Sequence, residues 1–457
     1  MTSFVPKRRV DVVEEGRSAG RGRIRCAIHE HLQFDSDGIE TYCLAGWNAT
    51  VYDAFVIGAA VQFCDHTMRR PSAGWSRDIA LRVPVHDLHH WQSTVVSEAL
   101  HDALSFLTGD RWRIDFVRRT RHFEPERQQR FDLPRSCVVM PFSDGLDSYL
   151  MAGLLQREHG YALVRVRLGA KASPRNRDRN SPPRAFAAMP WRVSCGRSGS
   201  VETSARSRGF RFALLSGIAA FLCNSRRIVL PESGQGALGP SLVPVGQAPA
   251  DVRNHPLFMT RMERLVRALF GHEVHYELPQ LWRTKGQTLS AFFESHPDDA
   301  DWMGTRSCWQ GARQASVSGR RRQCGVCAAC LLRRMSVHAA GRSEAPETYV
   351  WEDLSAARFE DGAARAFKNR KPRGALHEYA IAGVLHLDHL ANLQRSPVDA
   401  ATLKKQSFLL SRSLGRREQN TQMKLQNMLR RHEEEWREFV ESLRLRSFVT
   451  QWIARGQ

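Results

Sequence analysis

Four cysteines stand in a stretch of this chain whose spacing suits a metal ion. Residues 305 to 334 read TRSCWQGARQASVSGRRRQCGVCAACLLRR, with Cys308 set well ahead of the tight run Cys324, Cys327 and Cys330. Cysteines separated by two residues turn their thiolates onto one metal inside a knuckle, and a fourth from a distant loop closes a tetrahedron. Arginines 320 to 322, 333 and 334 favour the thiolate form. The set points to structural zinc; the alternatives are an iron–sulfur cluster or cysteines with no shared ligand. A closed site of four thiolates has no open coordination position, so its metal holds the fold rather than doing chemistry.

A second constellation lies upstream, where residues 138 to 149 read VVMPFSDGLDSY. An apolar strand gives way to a turn of Ser143, Asp144, Gly145, Leu146, Asp147 and Ser148, and then to a helix. Unpaired N–H groups and the positive end of the dipole at such a helix start face one point, which suits an anion. Gly145 lets the backbone approach a phosphate, and Ser143 and Ser148 add hydroxyl donors. Asp147 at the helix start caps the first turn or holds Mg2+. The plain alternative is a capped helix following a core strand. The segment resembles the SGGxDS signature of the PP-loop ATP pyrophosphatases, which cleave ATP between its α and β phosphates and form adenylates. Asp144 stands where that family has glycine. It puts negative charge near the pyrophosphate and is less comfortable at positive φ, so either its side chain points away or ATP is held more weakly. The chain has no GxxxxGK[ST], which disfavours a Walker-type nucleoside triphosphatase.

The order of the motifs narrows the resemblance. The SDGLDS loop, Arg206 in ARS before an apolar helix, Lys285, SCW at Cys308 and finally CGVCAACLLR are together similar to the cyano-deazaguanine synthase (QueC-like) family. Those enzymes use ATP to turn a carboxylated deazaguanine into its nitrile. The likeness covers roughly residues 136 to 342 and rests chiefly on the cysteine block. It implies that Ser143, Gly145, Leu146, Asp147 and Ser148 hold the ATP phosphates, with Asp144 in the same loop. It also implies that Arg206 is the family's arginine and Lys285 its lysine, with Gln287 where an acidic residue is expected. Asp147, Ser148, Arg206 and Lys285 are thereby the candidate catalytic residues, and ATP, Mg2+ and Zn2+ the expected cofactors. The layout, including PESGQGALGPSLVP at 231 to 244 and RNHP at 253 to 256, looks like the diverged QatC-type branch found in bacterial anti-phage defence operons. That branch implies transfer of the activated deazaguanine to a protein amine rather than to ammonia. The expected partners are thus a carboxylated deazaguanine-type base and an operon-encoded protein. Two other readings are an ordinary biosynthetic synthase and an inactive scaffold, its loop disabled by Asp144, that binds nucleic acid.

Adenylation sets the demands on such a site. A carboxylate is a poor electrophile; transferring AMP to it gives a mixed anhydride that an amine can attack. Loop donors, magnesium and basic side chains must neutralise the phosphate in flight and the departing pyrophosphate. The sequence identifies no base.

The elements that must position these residues follow from the apolar pattern. After Ser136 come SCVVMP, a helix from Asp147, YALVRVRLG, MPWRVS, a helix from Arg206 to Cys223, RIVLP, a helix from His255 to Phe270, and EVHYE. Strands alternating with helices predict βαβ units and a mostly parallel sheet. The expected core is therefore α/β, and by the resemblance a PP-loop (HUP-like) parallel sheet carrying a zinc knuckle. The basic stretch KASPRNRDRNSPPR, 171 to 184, reads as a loop that faces solvent or, at the carboxyl end of its strand, ATP. Upstream, 22 to 130 mixes strands (Ile24 to His29, Ile79 to Val85) with amphipathic pieces around Trp47, Trp75, Trp91 and Trp112, and predicts an α+β domain. Downstream, Gln419 to Ile453 carries Met423, Leu425, Met428, Leu429, Trp436, Phe439, Val440 and Leu443 at helical spacing, which predicts a docking or core face. The expected division is 1–133, an α+β domain for partner recognition; 134–344, the PP-loop nucleotide-binding domain with the four-cysteine zinc site; and 345–457, helical.

Composition agrees with this scale. At 457 residues, 42% hydrophobic with eleven tryptophans, the chain is long enough for two or three packed units. The net charge of +20 permits a nucleic-acid partner but does not require one. Cys26, Cys43, Cys64, Cys137, Cys195 and Cys223 have no ligand-like spacing and read as small core residues. No secretory leader or membrane span is evident, so the expected location is cytoplasmic, with no membrane partner.

Overall fold

The structure, a computed structural model, describes residues 8–34, 48–71, 74–120, 137–169, 191–196, 199–311, 314–367, 374–395 and 397–456. Its strands in chain order are β1 (Arg8–Val13), β2 (Ile24–Ala27), β3 (Leu32–Phe34), β4 (Asp78–Val85), β5 (Arg111–Arg118), β6 (Val138–Phe142), β7 (Leu163–Arg167), β8 (Trp191–Val193), β9 (Arg227–Val229), β10 (His275–Glu277), β11 (Ser316–Val317) and β12 (Arg320–Arg321). Its α-helices are α1 (Ala49–Thr67), α2 (Leu88–Gln92), α3 (Thr94–Thr108), α4 (Leu146–His159), α5 (Arg208–Leu222), α6 (Gly234–Leu242), α7 (Pro256–Phe270), α8 (Lys285–Ser295), α9 (Ala328–Ala339), α10 (Gly374–Asn392), α11 (Pro397–Ser413), α12 (Glu418–Glu441) and α13 (Phe448–Gly456). None of the described helices is long and apolar enough to cross a membrane. The chain is α/β with parallel sheets and divides into two compact units, one drawn from 1–143, 155–230 and 257–277, the other from 144–154, 231–256 and 278–457.

The first unit holds two four-stranded sheets, ordered β2-β1-β4-β5 and β10-β9-β6-β7. Every pairing within them is parallel. The N-terminal region is therefore α/β, which corrects the α+β expectation. The reason is visible in β4, where Ile79, Leu81, Val83 and Val85 are buried and Ala80 and Pro84 on the opposite face are buried too. A strand covered on both faces belongs inside a parallel sheet joined by helical crossovers. At the edge, β5 alternates exposed Arg111, Arg113 and Asp115 with buried Trp112, Ile114 and Phe116. The MPWRVS segment is also corrected: its strand β8 pairs antiparallel with β3, outside both larger sheets. Cys26, Cys64, Cys137 and Cys223 are buried as expected, Cys195 is partly exposed, and Cys43 lies outside the described residues. The basic stretch 171 to 184 and Trp47 also lie outside them.

In the second sheet the strand order reverses between β6 and β9. Ligands of open parallel sheets bind outside the carboxyl ends of the strands that flank such a reversal. The chain leaving β6 carries Asp147, and the chain leaving β9 carries Glu232.

The second unit is mainly helical. One apolar cluster surrounds the cysteines with Trp351, Met335, Phe359 and Trp436; another joins α6 to α10, α11 and α12 through Leu238, Leu390, Leu410 and Leu425. A third packs Leu146 and Leu150 of α4 on Leu289, Phe292 and Trp302. The predicted C-terminal helix is two, α12 and α13, broken after Glu441. Leu425, Met428, Leu429, Trp436 and Phe439 are buried, Val440 and Leu443 partly so, whereas Met423 is exposed, a correction to its place on that face.

Candidate active site and metal centre

Lys285 is the first residue of α8, and its place is set by the Thr284 N-cap. The Thr284 hydroxyl accepts from the Gln287 N–H at 3.1 Å, and the Gln287 amide oxygen accepts from the Thr284 N–H at 3.0 Å. This is a capping box, in which two otherwise unpaired N–H groups satisfy each other's side chains. It gives Gln287 a structural task. The Lys285 side chain is only 5% exposed, and its Nζ lies 2.8 Å from Oδ2 of Asp147, in the first turn of α4. Two residues far apart in sequence are thus joined as a partly buried ion pair. Burial works to lower the Lys285 pKa, but the charges of Asp147 and Glu232 outweigh it and hold the ammonium protonated, above its usual range.

Glu232 is the third titratable group of this cluster. Its residue is partly exposed, yet its carboxyl is crowded by protein: Oε1 lies against Gly236, where a Cβ would meet it at 1.9 Å, and Oε2 accepts from Asn254 Nδ2 at 3.0 Å. Burial first, and then the charge of Asp147, push its pKa up to about 8, against the opposing pull of Lys285 and Arg253. Arg253 is itself held by Asp251, Nε to Oδ2 at 2.7 Å. The result is an ammonium set between Asp147 and Glu232, with the confined Glu232 carboxyl keeping its proton into the neutral range.

The rest of the predicted loop is accounted for residue by residue. Leu146 is fully buried in the cluster with Leu289 and Phe292, so it can offer a ligand only its backbone. Ser148 is buried; Ser143 and Gly145 are partly exposed. Asp144 is exposed, and it is not among the described residues with positive φ; its carbonyl accepts from the Arg306 N–H at 2.7 Å. An aspartate therefore stands here without backbone strain. Arg206 belongs to the first unit, where its guanidinium lies 5.9 Å from the centre of the Trp75 ring, just before the N-terminus of α5.

The cysteines come together as their spacing predicts. The Sγ atoms of Cys308, Cys324, Cys327 and Cys330 all lie within 4.8 Å of one another, and those of Cys324 and Cys330 are 3.7 Å apart. A tetrahedral zinc site with Zn–S bonds of about 2.3 Å needs sulfurs about 3.8 Å apart. In an iron–sulfur cluster each thiolate binds its own iron and the sulfurs stand further apart. The β11–β12 hairpin spans the gap between Cys308 and the knuckle, and Gly325, at φ +88°, turns Cys324 towards Cys327. A Cβ on Gly325 would lie 2.8 Å from the Trp351 carbonyl. Cys327 is the N-cap of α9, which puts Cys330 in the first helical turn beside it. Backbone N–H groups of Cys324 and Gln310 donate to the Cys308 sulfur at 3.2 and 3.3 Å, and that of Cys327 to the Cys324 sulfur at 3.3 Å. Such donors, with the positive end of α9, suit thiolates. The donor set and its size fit a metal such as zinc.

Comparisons with protein-family models, with curated proteins and with solved structures return no match. The geometry itself therefore carries the functional argument. It brings Asp147 and Lys285 together and assembles the four cysteines, and it adds Glu232, Asn254 and Arg253, which sequence reasoning did not single out. Their only signal lay in the PESGQG and RNHP segments, where glycines permit close packing but nothing marks which carboxylate is confined. The T-x-x-Q pattern at Thr284 was the readable sign that α8 begins at Lys285.

Proposed function

We propose that this protein is a PP-loop ATP pyrophosphatase that adenylates a carboxylated deazaguanine-type base and passes it to an amine of a partner protein, as a C–N bond-forming enzyme of anti-phage defence. The observation that carries the reading is the Lys285–Asp147 pair beside Glu232, all three within the second unit. A buried ammonium, held charged, is the group that pyrophosphate departure requires, and the helix start of α4 adds N–H donors.

In the proposed reaction the base's carboxylate oxygen attacks the α phosphorus of ATP and pyrophosphate leaves. Lys285 neutralises charge on the phosphates, Ser143 and Ser148 contribute hydroxyls, and the turn at Gly145 contributes backbone N–H groups. Asp147 is an oxygen donor of the kind Mg2+ takes, and the ion would supply further neutralisation of the polyphosphate. Attack of the amine on the adenylate forms the C–N bond and releases AMP. The amine must lose a proton, and Glu232, with its affinity for protons raised to about 8, is matched to accept it. Zinc in the four-cysteine site would hold the fold around the pocket.

Mass spectrometry tests the acceptor. Incubation with ATP, Mg2+, the carboxylated base and the operon's proteins is expected to add the base to a partner protein. Free nitrile formed with ammonia in place of a protein adduct would instead establish the biosynthetic synthase. Neither product, with affinity for nucleic acid falling steeply as salt rises, would establish the inactive scaffold.

A further inference from the structure

Helix α12 of the C-terminal region reaches the start of α8, the helix that carries Lys285. Glu435 is 1% exposed, and its Oε1 accepts a hydrogen bond from the Thr284 hydroxyl at 2.5 Å. Gly286 makes the approach possible: a Cβ there would lie 2.8 Å from Glu435 Oε1 and 3.0 Å from the Ala339 Cβ. One helical turn earlier, buried His432 receives the side-chain amide of Gln235, Nε2 to Nδ1 at 2.8 Å, and its own Nε2 lies 3.0 Å from the Leu387 carbonyl. Gln235 Oε1 in turn accepts from the Lys285 N–H at 2.8 Å. With the Gln235 oxygen taken by Lys285, its NH2 faces His432; Nδ1 must accept, so the proton sits on Nε2 and is donated to Leu387.

We propose that Glu435 and His432 are positioning residues for Lys285. Glu435 fixes the N-cap, His432 fixes Gln235, and these two arms fix the backbone on either side of the Thr284–Lys285 bond, so that the ammonium meets Asp147. The C-terminal helical region is on this account part of the adenylating site rather than an accessory. The inference rests on the proposed adenylation for its kinetic consequence, but the placement of Lys285 can be read without it.

The test uses the full-length, metal-loaded protein and two readouts: kcat and KM for ATP in AMP release, and acylation of Lys285 by an acetylating reagent, located by mass spectrometry. Glu435→Ala is expected to lower kcat by about 10²-fold, the scale of an ångström-sized misplacement, with KM for ATP little changed. It should also raise acylation of Lys285, which is 4% exposed in the intact chain. Glu435→Gln keeps an acceptor for Thr284 and is expected to restore both readouts to within a few-fold. A folded Glu435→Ala protein with unchanged kcat and unchanged Lys285 acylation would overturn the proposal. If that variant does not fold, Gln235→Met, which removes the acceptor of the Lys285 N–H, decides by the same criteria. If the unaltered protein releases no AMP, adenylation fails as a reading; increased Lys285 acylation in the variants would then still support the positioning, and its absence would overturn it.

Discussion

Glu232 is the residue whose state most directly controls the proposed chemistry. Its carboxyl is confined beside Asp147 and takes up a proton below about 8. If it accepts the amine's proton, the rate of C–N bond formation is expected to rise with pH up to about 8, and Glu232→Gln should abolish that limb. Stability runs the other way. A carboxyl whose folded pKa lies above its ordinary 4.5 contributes fully below that value and loses its contribution as pH rises through about 8. Thermal melting of Glu232→Gln against the unaltered protein should therefore favour the variant more at pH 9 than at pH 6, and an equal difference at both would contradict the assignment. The sequence singled out Asp147 and Lys285 one by one, but their mutual contact was not legible in it. Nothing in the spacing of Asp147 and Lys285 encodes a 2.8 Å pair; that depends on how α4 and α8 pack through Leu146, Leu289 and Phe292.

At the scale of elements, the most readable features were local ones. The knuckle was legible because Cys324, Cys327 and Cys330 lie within one turn-and-helix segment, where spacing alone limits the geometry. Cys308 joins it through the hairpin and the N–H···S bonds described above. Cys327→Ser in the purified protein is expected to reduce bound zinc, measured by elemental analysis, from about one equivalent to a small fraction, because a structural site relies on all four thiolates. Retention of a full equivalent would place the metal elsewhere. The parallel character of the N-terminal sheet was harder to read. Alternating Trp112, Ile114 and Phe116 in β5 suggest a half-exposed sheet, while the burial of Ala80 and Pro84 in β4, opposite Ile79, Leu81, Val83 and Val85, becomes evident only in the folded chain. The short strand β8 was recognised as a strand but not its partner β3, since pairing between distant segments leaves no local trace.

Across the whole molecule, the residues of 345–457 pack in one unit with those of 231–256 and 278–344, which no composition boundary announces. Two histidines mark that packing. His386 Nδ1 lies 2.7 Å from the Val243 carbonyl, and burial pushes its pKa and that of His432 down to about 4. Groups depressed below their ordinary 6.5 contribute stability that is present above that value and lost as pH falls through about 4. Melting temperature is thus expected to fall between pH 6.5 and 4, and His432→Gln to flatten the slope; an unchanged slope would contradict the buried neutral state. The central claim is adenylation, and the measurement that tests it most directly is release of AMP and pyrophosphate from ATP by the purified protein, with and without the carboxylated deazaguanine, alongside Asp147→Ala and Lys285→Ala. The account predicts equal amounts of both products, dependent on the base and reduced by about 10²-fold or more in each variant. Release of ADP, or no release even with partner proteins present, would contradict it.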